Sequence, residues 1–501
     1  MSADERRFLR TWLTLSLVCL VVAAWRSAGY YHPDEQFQTL EFAAARLGIT
    51  PPAALPWEFG QRMRSWLQPG LYVLVLRGLR RLTANPFAWA TALRLLSGLY
   101  AWVALAGLAL CCGRWLEDRA SRRIAVRMVA AFCLLPFVLV RTSSESLAAS
   151  SFCLGIALHQ LARDGERPAR GAAFAVGLLF GLAFEFRFAV GVMVAGWLAW
   201  AALVRRRSAG ELATTASGIG AVLGAAALVD RWGYGAWCLP PWNYVVENLR
   251  AGQAAARFGS LPVWGYAALV LRPPFGPAAL LAAAATAVTW LRHPRHVLTW
   301  SAVPMVAVHS LIAHKELRFL FPLLPIAGVC FGLAVAPGQD RLEPLARFWR
   351  GPSSRVVRRG VFAVNLVALA LLCLLPVAPQ AGLQRFVFER LPREPELLIL
   401  GPETPYGPSG LVGRFYGPPG TALCVLTAAE LQQALARGDR ARNLVVPADV
   451  RPEMLAAAVR CRELYRSVPS WLDALPGIRA LDRWLVLRCE PAAGPAADRN
   501  Y

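Results

Sequence analysis

The sequence predicts an α-helical polytopic membrane protein with about eleven transmembrane helices and a small C-terminal α/β domain on the non-cytoplasmic side. Three observations predict it. First, 56% of the 501 residues are hydrophobic, above the roughly 45–50% of a soluble globular chain. Second, apolar runs of about the length needed to cross a bilayer recur from residue 11 to residue 377. Third, the formal net charge of +22 comes from bases clustered in short groups between those runs, which is how cytoplasmic loops are built. The basic excess therefore marks topology. It does not form the single patch interleaved with exposed aromatics that a nucleic-acid partner would need.

The runs fall at 11–28, 89–112, 124–140, 147–161, 172–184, 188–204, 212–229, 278–291, 297–312, 319–336 and 361–377. Arg6, Arg7 and Arg10 precede the first run, and with so many spans after it, it reads as an uncleaved first helix rather than a removed signal. With the N-terminus in the cytoplasm, alternation puts the arginine-rich segments 114–123, 163–171, 205–207, 292–295 and 337–360 on the cytoplasmic side throughout. The stretch 69–82 is apolar but short, so a span and a partly embedded helix both fit it. The pair within 172–204 is short for two full crossings and fits a shallow hairpin.

The far side then receives the loop 29–68, the loop 230–266, the turn 313–318 and the polar region 378–501. In that last region 397–400 and 443–446 read as buried strands and 428–437 as a helix, hence an α/β domain. The expected division is a membrane domain over 1–377, with its first outer loop at 29–68, and a non-cytoplasmic domain over 378–501. Eleven cysteines form no C-x-x-C pair and no zinc spacing; Cys424, Cys461 and Cys489 fall in the C-terminal region, where a bond between Cys461 and Cys489 is left open. Lys315 is the one lysine among 53 basic residues, which points to a GC-rich coding sequence and hence a bacterial source.

Chemistry-bearing residues gather at the far side. The first outer loop carries Tyr30-Tyr31-His32-Pro33-Asp34-Glu35-Gln36-Phe37-Gln38. Pro33 holds His32 extended, and Asp34 suits the first turn of a helix running to Gly48. Phe37, Leu40, Ala44 and Leu47 would share one apolar stripe of that helix, which fits an element lying flat at the interface. Asp34 and Glu35 fit plain helix capping as well as chemistry. His314-Lys315-Glu316-Leu317-Arg318-Phe319 sits between two spans with no spacer, and four ionisable side chains at a membrane boundary are costly to bury and usually functional. A snorkelling turn would face the cytoplasm, and this one does not. Glu185-Phe186-Arg187 marks the hairpin tip, where a local ion pair competes with a substrate role. Arg141-Thr142-Ser143-Ser144-Glu145-Ser146 reads as caps for two helix ends.

These motifs resemble glycosyltransferase family 22, the dolichyl-phosphate-mannose-dependent α-mannosyltransferases of GPI-anchor and N-glycan assembly. The resemblance rests on His32-Pro33-Asp34-Glu35-x-Phe37-Gln38, Trp57-Glu58, Arg64-Ser65 and His314-Lys315-Glu316-x-Arg318-Phe319. Trp242-Asn243, Asn248, Phe258-Gly259, Pro262 and Tyr266 are similar to the GPI branch, the third-mannose enzymes in particular, and Thr404-Pro405-Tyr406 echoes it. Phe59 after Glu58 and the C-terminal region depart from that pattern.

The resemblance implies a GT-C fold and an inverting transfer of mannose from a dolichyl- or polyprenyl-phosphate carrier to a hydroxyl of a glycolipid or lipid-linked glycan. It implies Asp34 as catalytic base with Glu35 beside it. His32, Arg64, Arg187, His314, Lys315, Glu316 and Arg318 are then substrate-binding, the cations serving the lipid phosphate. It also implies that the two clusters work at one lipid headgroup. The expected place is a bacterial inner membrane with the active side facing the periplasm, or the endoplasmic reticulum lumen in a eukaryote. No cofactor and no metal are expected, since one phosphate needs a divalent ion less than a diphosphate does. His32, Asp34, Glu35 and His314 are ligating types without a ligating spacing. A lipid or glycan transporter, or a non-catalytic scaffold of a glycan assembly complex, would explain the membrane pattern too. Transport, however, predicts charges through the midplane and an inverted repeat, and neither is visible.

Overall fold

The computed structural model describes residues 2–162, 170–272, 276–408, 410–437, 440–450, 459–469 and 483–491. All eleven apolar runs are mostly helical, with 124–140 split at Phe132–Cys133 into Arg119–Ala131 and Leu134–Leu139. Five helices are long and apolar enough to cross a membrane among the described residues: Ala3–Arg26, Pro86–Trp115, Ala209–Tyr234, Leu317–Val335 and Arg355–Leu374. Of the basic segment 163–171, residues 163–169 lie outside the described residues. The ambiguous stretch forms the helix Leu67–Leu79, about 20 Å at 1.5 Å per residue, against about 30 Å of hydrocarbon. That length fits a partly embedded helix. Contacts group the chain into two compact units: Met1–Ser27, Trp57–Val75 and Thr91–Leu375 form one, and Ala28–Pro56, Leu76–Ala90 and Pro376–Tyr501 the other.

In the first unit, local sequence sets the helix ends. Ser2 and Glu5 form a reciprocal capping box at the start of Ala3–Arg26, Asp118 caps Arg119–Ala131, and Ser143 caps Ser144–Leu161. Small residues then let helices close in, as lipid offers no hydrophobic drive between them. Gly177 of Arg170–Phe186 and Gly218 of Ala209–Tyr234 meet face to face: a Cβ on Gly177 would run into the Thr215 carbonyl oxygen, and one on Gly218 into that of Phe174. Phe152 stacks on Phe180 with ring centroids 5.4 Å apart, joining Ser144–Leu161 to the same pair. Val364, Val367 and Leu371 of Arg355–Leu374 remain exposed, as side chains facing lipid should.

In the second unit, the outer-loop helix runs over 33–46, with Gln36–Leu40 wound as a π-helical turn. It ends where expected, Gly48 taking the left-handed conformation at φ +73°. The expectation of an interfacial helix with one apolar stripe is corrected. Phe37, Leu40 and Ala44 are buried, but so are Gln36, Gln38, Thr39 and Glu41. The reason is that the polar face is satisfied from within the unit, in part by residues distant in sequence. Glu41 accepts from Gln36 Nε2 at 3.0 Å, Thr50 Oγ1 at 2.5 Å and the Phe415 backbone N at 3.1 Å, while a Cβ on Gly407 would approach Phe37 Cζ to 2.6 Å.

The remainder of this unit is a five-stranded sheet among the described residues, in the order β2-β1-β3-β5-β4. The strands are β1 Glu396–Leu400, β2 Ala422–Leu426, β3 Arg442–Pro447, β4 Val459–Arg466 and β5 Trp484–Pro491. β1 runs parallel to β2 and β3, and β5 antiparallel to β3 and β4. Leu397 and Ile399 join Leu383 and Val387 of the helix Gln380–Arg390 in one core. Leu398 packs with Leu431 and Leu435 of Ala428–Ala436 on the other face. A strand covered on both faces reads as an unbroken apolar run, which is why β1 and β3 were visible in the sequence. Cys461 and Cys489 pair across β4 and β5 and form a disulfide.

Candidate active site

The second ionisable cluster of the sequence, the turn between Val297–Leu311 and Leu317–Val335, is built by extended backbone. The preceding helix ends at Leu311, and Glu316, at φ −131° and ψ 141°, is the extended step that precedes the 3-10 turn Leu317–Leu323 and aims consecutive side chains apart. Three contacts stitch this turn to the segment before Gly265: His314 Nδ1 lies 3.0 Å from the Gly259 carbonyl oxygen, Leu261 N donates to the Ala313 carbonyl at 2.9 Å, and Lys315 Nζ donates to the Leu261 carbonyl at 2.9 Å. Lys315 donates again to the Ile312 carbonyl at 2.5 Å and is 5% exposed. Its ammonium thus rests on two neutral oxygens, with no carboxylate in ion-pair distance among the described residues.

Around it the charges form a chain. Glu316 accepts from Arg318 Nε and lies 2.8 Å from His314 Nε2. Arg318 Nη1 reaches Glu145 Oε1 at 3.1 Å, and Arg187 Nη2 reaches the same oxygen at 3.4 Å. Both guanidinium groups pack over the Phe319 ring, with each centroid distance 5.1 Å. Among the described residues and these ion pairs, the three full cations Arg187, Lys315 and Arg318 meet the two carboxylates Glu145 and Glu316, so positive charge is in excess before His314 is counted. The Glu316 hydrogen bond holds the His314 imidazole above its ordinary range, against partial burial, and a protonated ring adds to that excess. Arg187 Nη1 is buried without a hydrogen-bond partner. Buried positive charge left over in this way suits an anion.

Arg187 itself sits at the hairpin tip, where its own backbone is extended between two helices. The ion pair expected there with Glu185 is not the one formed: Arg187 turns to Glu145, and Glu185 hydrogen-bonds the Ser65 hydroxyl. Arg64 lies 3.7 Å from Glu58 and 5.3 Å over the Tyr244 ring. Its backbone is fixed by Tyr234, whose hydroxyl donates to the Arg64 carbonyl at 2.7 Å. The neighbouring Trp66 N donates to Asp230 at 2.6 Å.

His32, Asp34 and Glu35 belong to the second unit. His32 Nδ1 accepts from the Asp34 backbone N at 3.2 Å, as an N-cap does, and lies 3.5 Å from Asp34 Oδ1. Glu35 is buried, and its carboxylate accepts from Tyr31 N at 3.1 Å. Of the two adjacent acids, Asp34 keeps the more accessible carboxylate while Glu35 ties the loop to the helix. Glu41, one helical turn and a half further on, is fully buried, and desolvation pushes its carboxyl up.

Two acids escaped sequence reasoning. Glu145 was read as part of a capping segment, and Ser143 does cap that helix, yet the carboxylate next to it is the shared anchor of two arginines. An acid in the first turn of an apolar helix was the available signal. Glu41 had none, because its donors arrive from Thr50 and Phe415. Among the described residues, no group of three or more His, Cys, Asp or Glu side chains is placed to hold a metal ion.

Known proteins resemble this chain in sequence and in fold. The GPI mannosyltransferase 3 of Gibberella zeae is 27% identical over 377 residues, covering 66% of this chain and 60% of that protein. The mannosyltransferase APTG1 of Arabidopsis thaliana is 26% identical over 332 residues, covering 64% and 58%. The chain thus spans about three-fifths of the length of these relatives. The crystal structure of ArnT from Cupriavidus metallidurans bound to undecaprenyl phosphate superposes with a TM-score of 0.56 at 13% identity, over 99% of this chain and 100% of that one. That likeness is one of fold, the GT-C fold. A family model described as the Alg9-like mannosyltransferase family matches residues 11–391. The chain belongs to the Alg9-like mannosyltransferase family.

Proposed function

We propose that this protein is an inverting α-mannosyltransferase that takes mannose from a polyprenyl- or dolichyl-phosphate carrier and places it on a hydroxyl of a glycolipid or lipid-linked glycan. The observation that carries this reading is the buried cationic cluster: a lysine ammonium on two carbonyls, two arginines sharing one glutamate, and an unpartnered guanidinium N–H. Such a cluster suits the phosphate of a lipid carrier, with Arg318 and Arg187 as planar donors and Lys315 as a compact charge. The names of the mannosyltransferase relatives support the sugar.

The chemistry follows from the donor. The bond between the anomeric carbon and the phosphate oxygen breaks, its electron pair leaving on the phosphate, while the acceptor oxygen bonds to the opposite face of that carbon. The acceptor proton passes to Asp34, the better exposed of the two adjacent carboxylates, which His32 orients. Glu35 holds the loop rather than the proton. Arg187, His314, Lys315 and Arg318 stabilise charge growing on the leaving phosphate, Glu316 orients Arg318 and His314, and Arg64 serves the acceptor side. A β-linked donor gives an α-product. The reaction is proposed to need no metal, and the check is activity in the presence of EDTA: survival would support this, and loss would overturn it.

The reaction belongs to the non-cytoplasmic side of a bacterial inner membrane. The arginine-rich segments support that orientation, and so does the disulfide in the C-terminal domain, a bond that persists in oxidising compartments. The test is a purified, reconstituted full chain given polyprenyl-phosphate-mannose and the host's membrane lipids, with products analysed by mass spectrometry. A lipid or glycan heavier by one hexose is expected. A folded protein that transfers no sugar from any polyprenyl-phosphate donor would remove the proposal.

A further inference from the structure

Tyr266 is a buried tyrosine next to Gly265, which packs against Lys315. It lies on the short helix Gly265–Val270, is 6% exposed, and its hydroxyl has no hydrogen-bond partner. Buried hydroxyls normally find one, because an unmade bond costs the full desolvation of the group. Its position is not loose. The segment before it is tied to the turn 312–318 by the Gly259, Leu261 and Ala313 contacts described above, and a Cβ on Gly265 would stand 3.2 Å from Lys315 Cδ. The phenol feels the charges of Glu316, Arg187 and Arg318. Burial pushes it well above the ordinary tyrosine range, so it stays a donor at any physiological pH. A second donor beside the same cluster, Arg187 Nη1, is also buried and unpartnered.

We propose that Tyr266 is a ligand-binding residue whose hydroxyl donates a hydrogen bond to a phosphate oxygen of the lipid carrier, alongside Arg187 Nη1. This rests on the cationic cluster being a phosphate site. A neutral donor suits that site: it adds a hydrogen bond to the phosphate without adding charge that would slow release of the lipid phosphate product.

The experiment compares the full-length protein with Tyr266→Phe, which removes only the oxygen. Binding of undecaprenyl phosphate, of undecaprenol and of inorganic phosphate is measured for each, together with the melting temperature without ligand. The expected result is an unchanged or slightly higher melting temperature, an undecaprenyl phosphate Kd weakened about tenfold or more, and no change for undecaprenol. Should inorganic phosphate bind with the same dependence on Tyr266, the donor role stands with a free anion as ligand. An unchanged Kd for undecaprenyl phosphate in Tyr266→Phe overturns the assignment and leaves the phosphate site standing. A lowered melting temperature without ligand also overturns it, since the hydroxyl would then be bonded within the fold. If the unaltered protein binds undecaprenyl phosphate no better than undecaprenol, the inference falls together with the reading beneath it.

Discussion

The two adjacent acids of the outer loop illustrate how one residue's neighbours divide chemistry from architecture. Glu35 is buried and its carboxylate accepts from the Tyr31 backbone, whereas Asp34 lies beside His32 with its side chain 21% exposed. Asp34→Asn preserves the side-chain shape and removes the basic oxygen. Transfer should fall by about 10²–10⁴-fold with an unchanged melting temperature, and near-normal turnover would discard Asp34 as the base. His314 supplies a pH signature. Its imidazole is held above the usual value of 6.5 by Glu316, so its stabilising contribution is fully present below that value and is lost as pH rises through the higher folded-state value. The melting-temperature gap between the protein and His314→Gln should therefore be widest in mild acid and close toward alkaline pH. A gap that stays flat with pH would show that the pair with Glu316 is not a charged one.

At the scale of helices and strands, the site depends on how closely backbones approach. Arg187 is delivered to Glu145 by the end of Arg170–Phe186, and that helix is seated on Ala209–Tyr234 through Gly177 and Gly218. Gly177→Ala drives a methyl into a backbone carbonyl that cannot move aside. It should cost about 1–3 kcal/mol, read as a lower melting temperature, with donor affinity falling in parallel. A variant as stable as the parent would show that the crossing is looser than described. Most of these elements were legible in the sequence, since apolar runs of span length became helices and doubly covered strands read as unbroken apolar runs. The outer-loop helix was the exception. Its stripe of Phe37, Leu40 and Ala44 was visible, but the partners that bury its polar side, Phe415 and Thr50 among them, are contributed by other parts of the chain.

For the molecule as a whole, the C-terminal sheet carries its own covalent tie. Removing it with Cys461→Ser should destabilise the second unit by about 2–4 kcal/mol. The same shift should follow reduction of the unaltered protein, measured by thermal unfolding with and without reductant; insensitivity to both would mean the thiols are unpaired in the folded protein. The sequence by itself determined the apolar helices, the membrane setting and the family, because hydropathy, arginine placement and short motifs are local properties that need no knowledge of contacts. It also marked Arg187, His314, Lys315, Glu316 and Arg318 as costly charges. Only the tertiary structure decided who neutralises them. Glu145 stands 173 residues from Arg318, and which buried charges cancel, and which are left over for a ligand, depends on distances that no local pattern encodes.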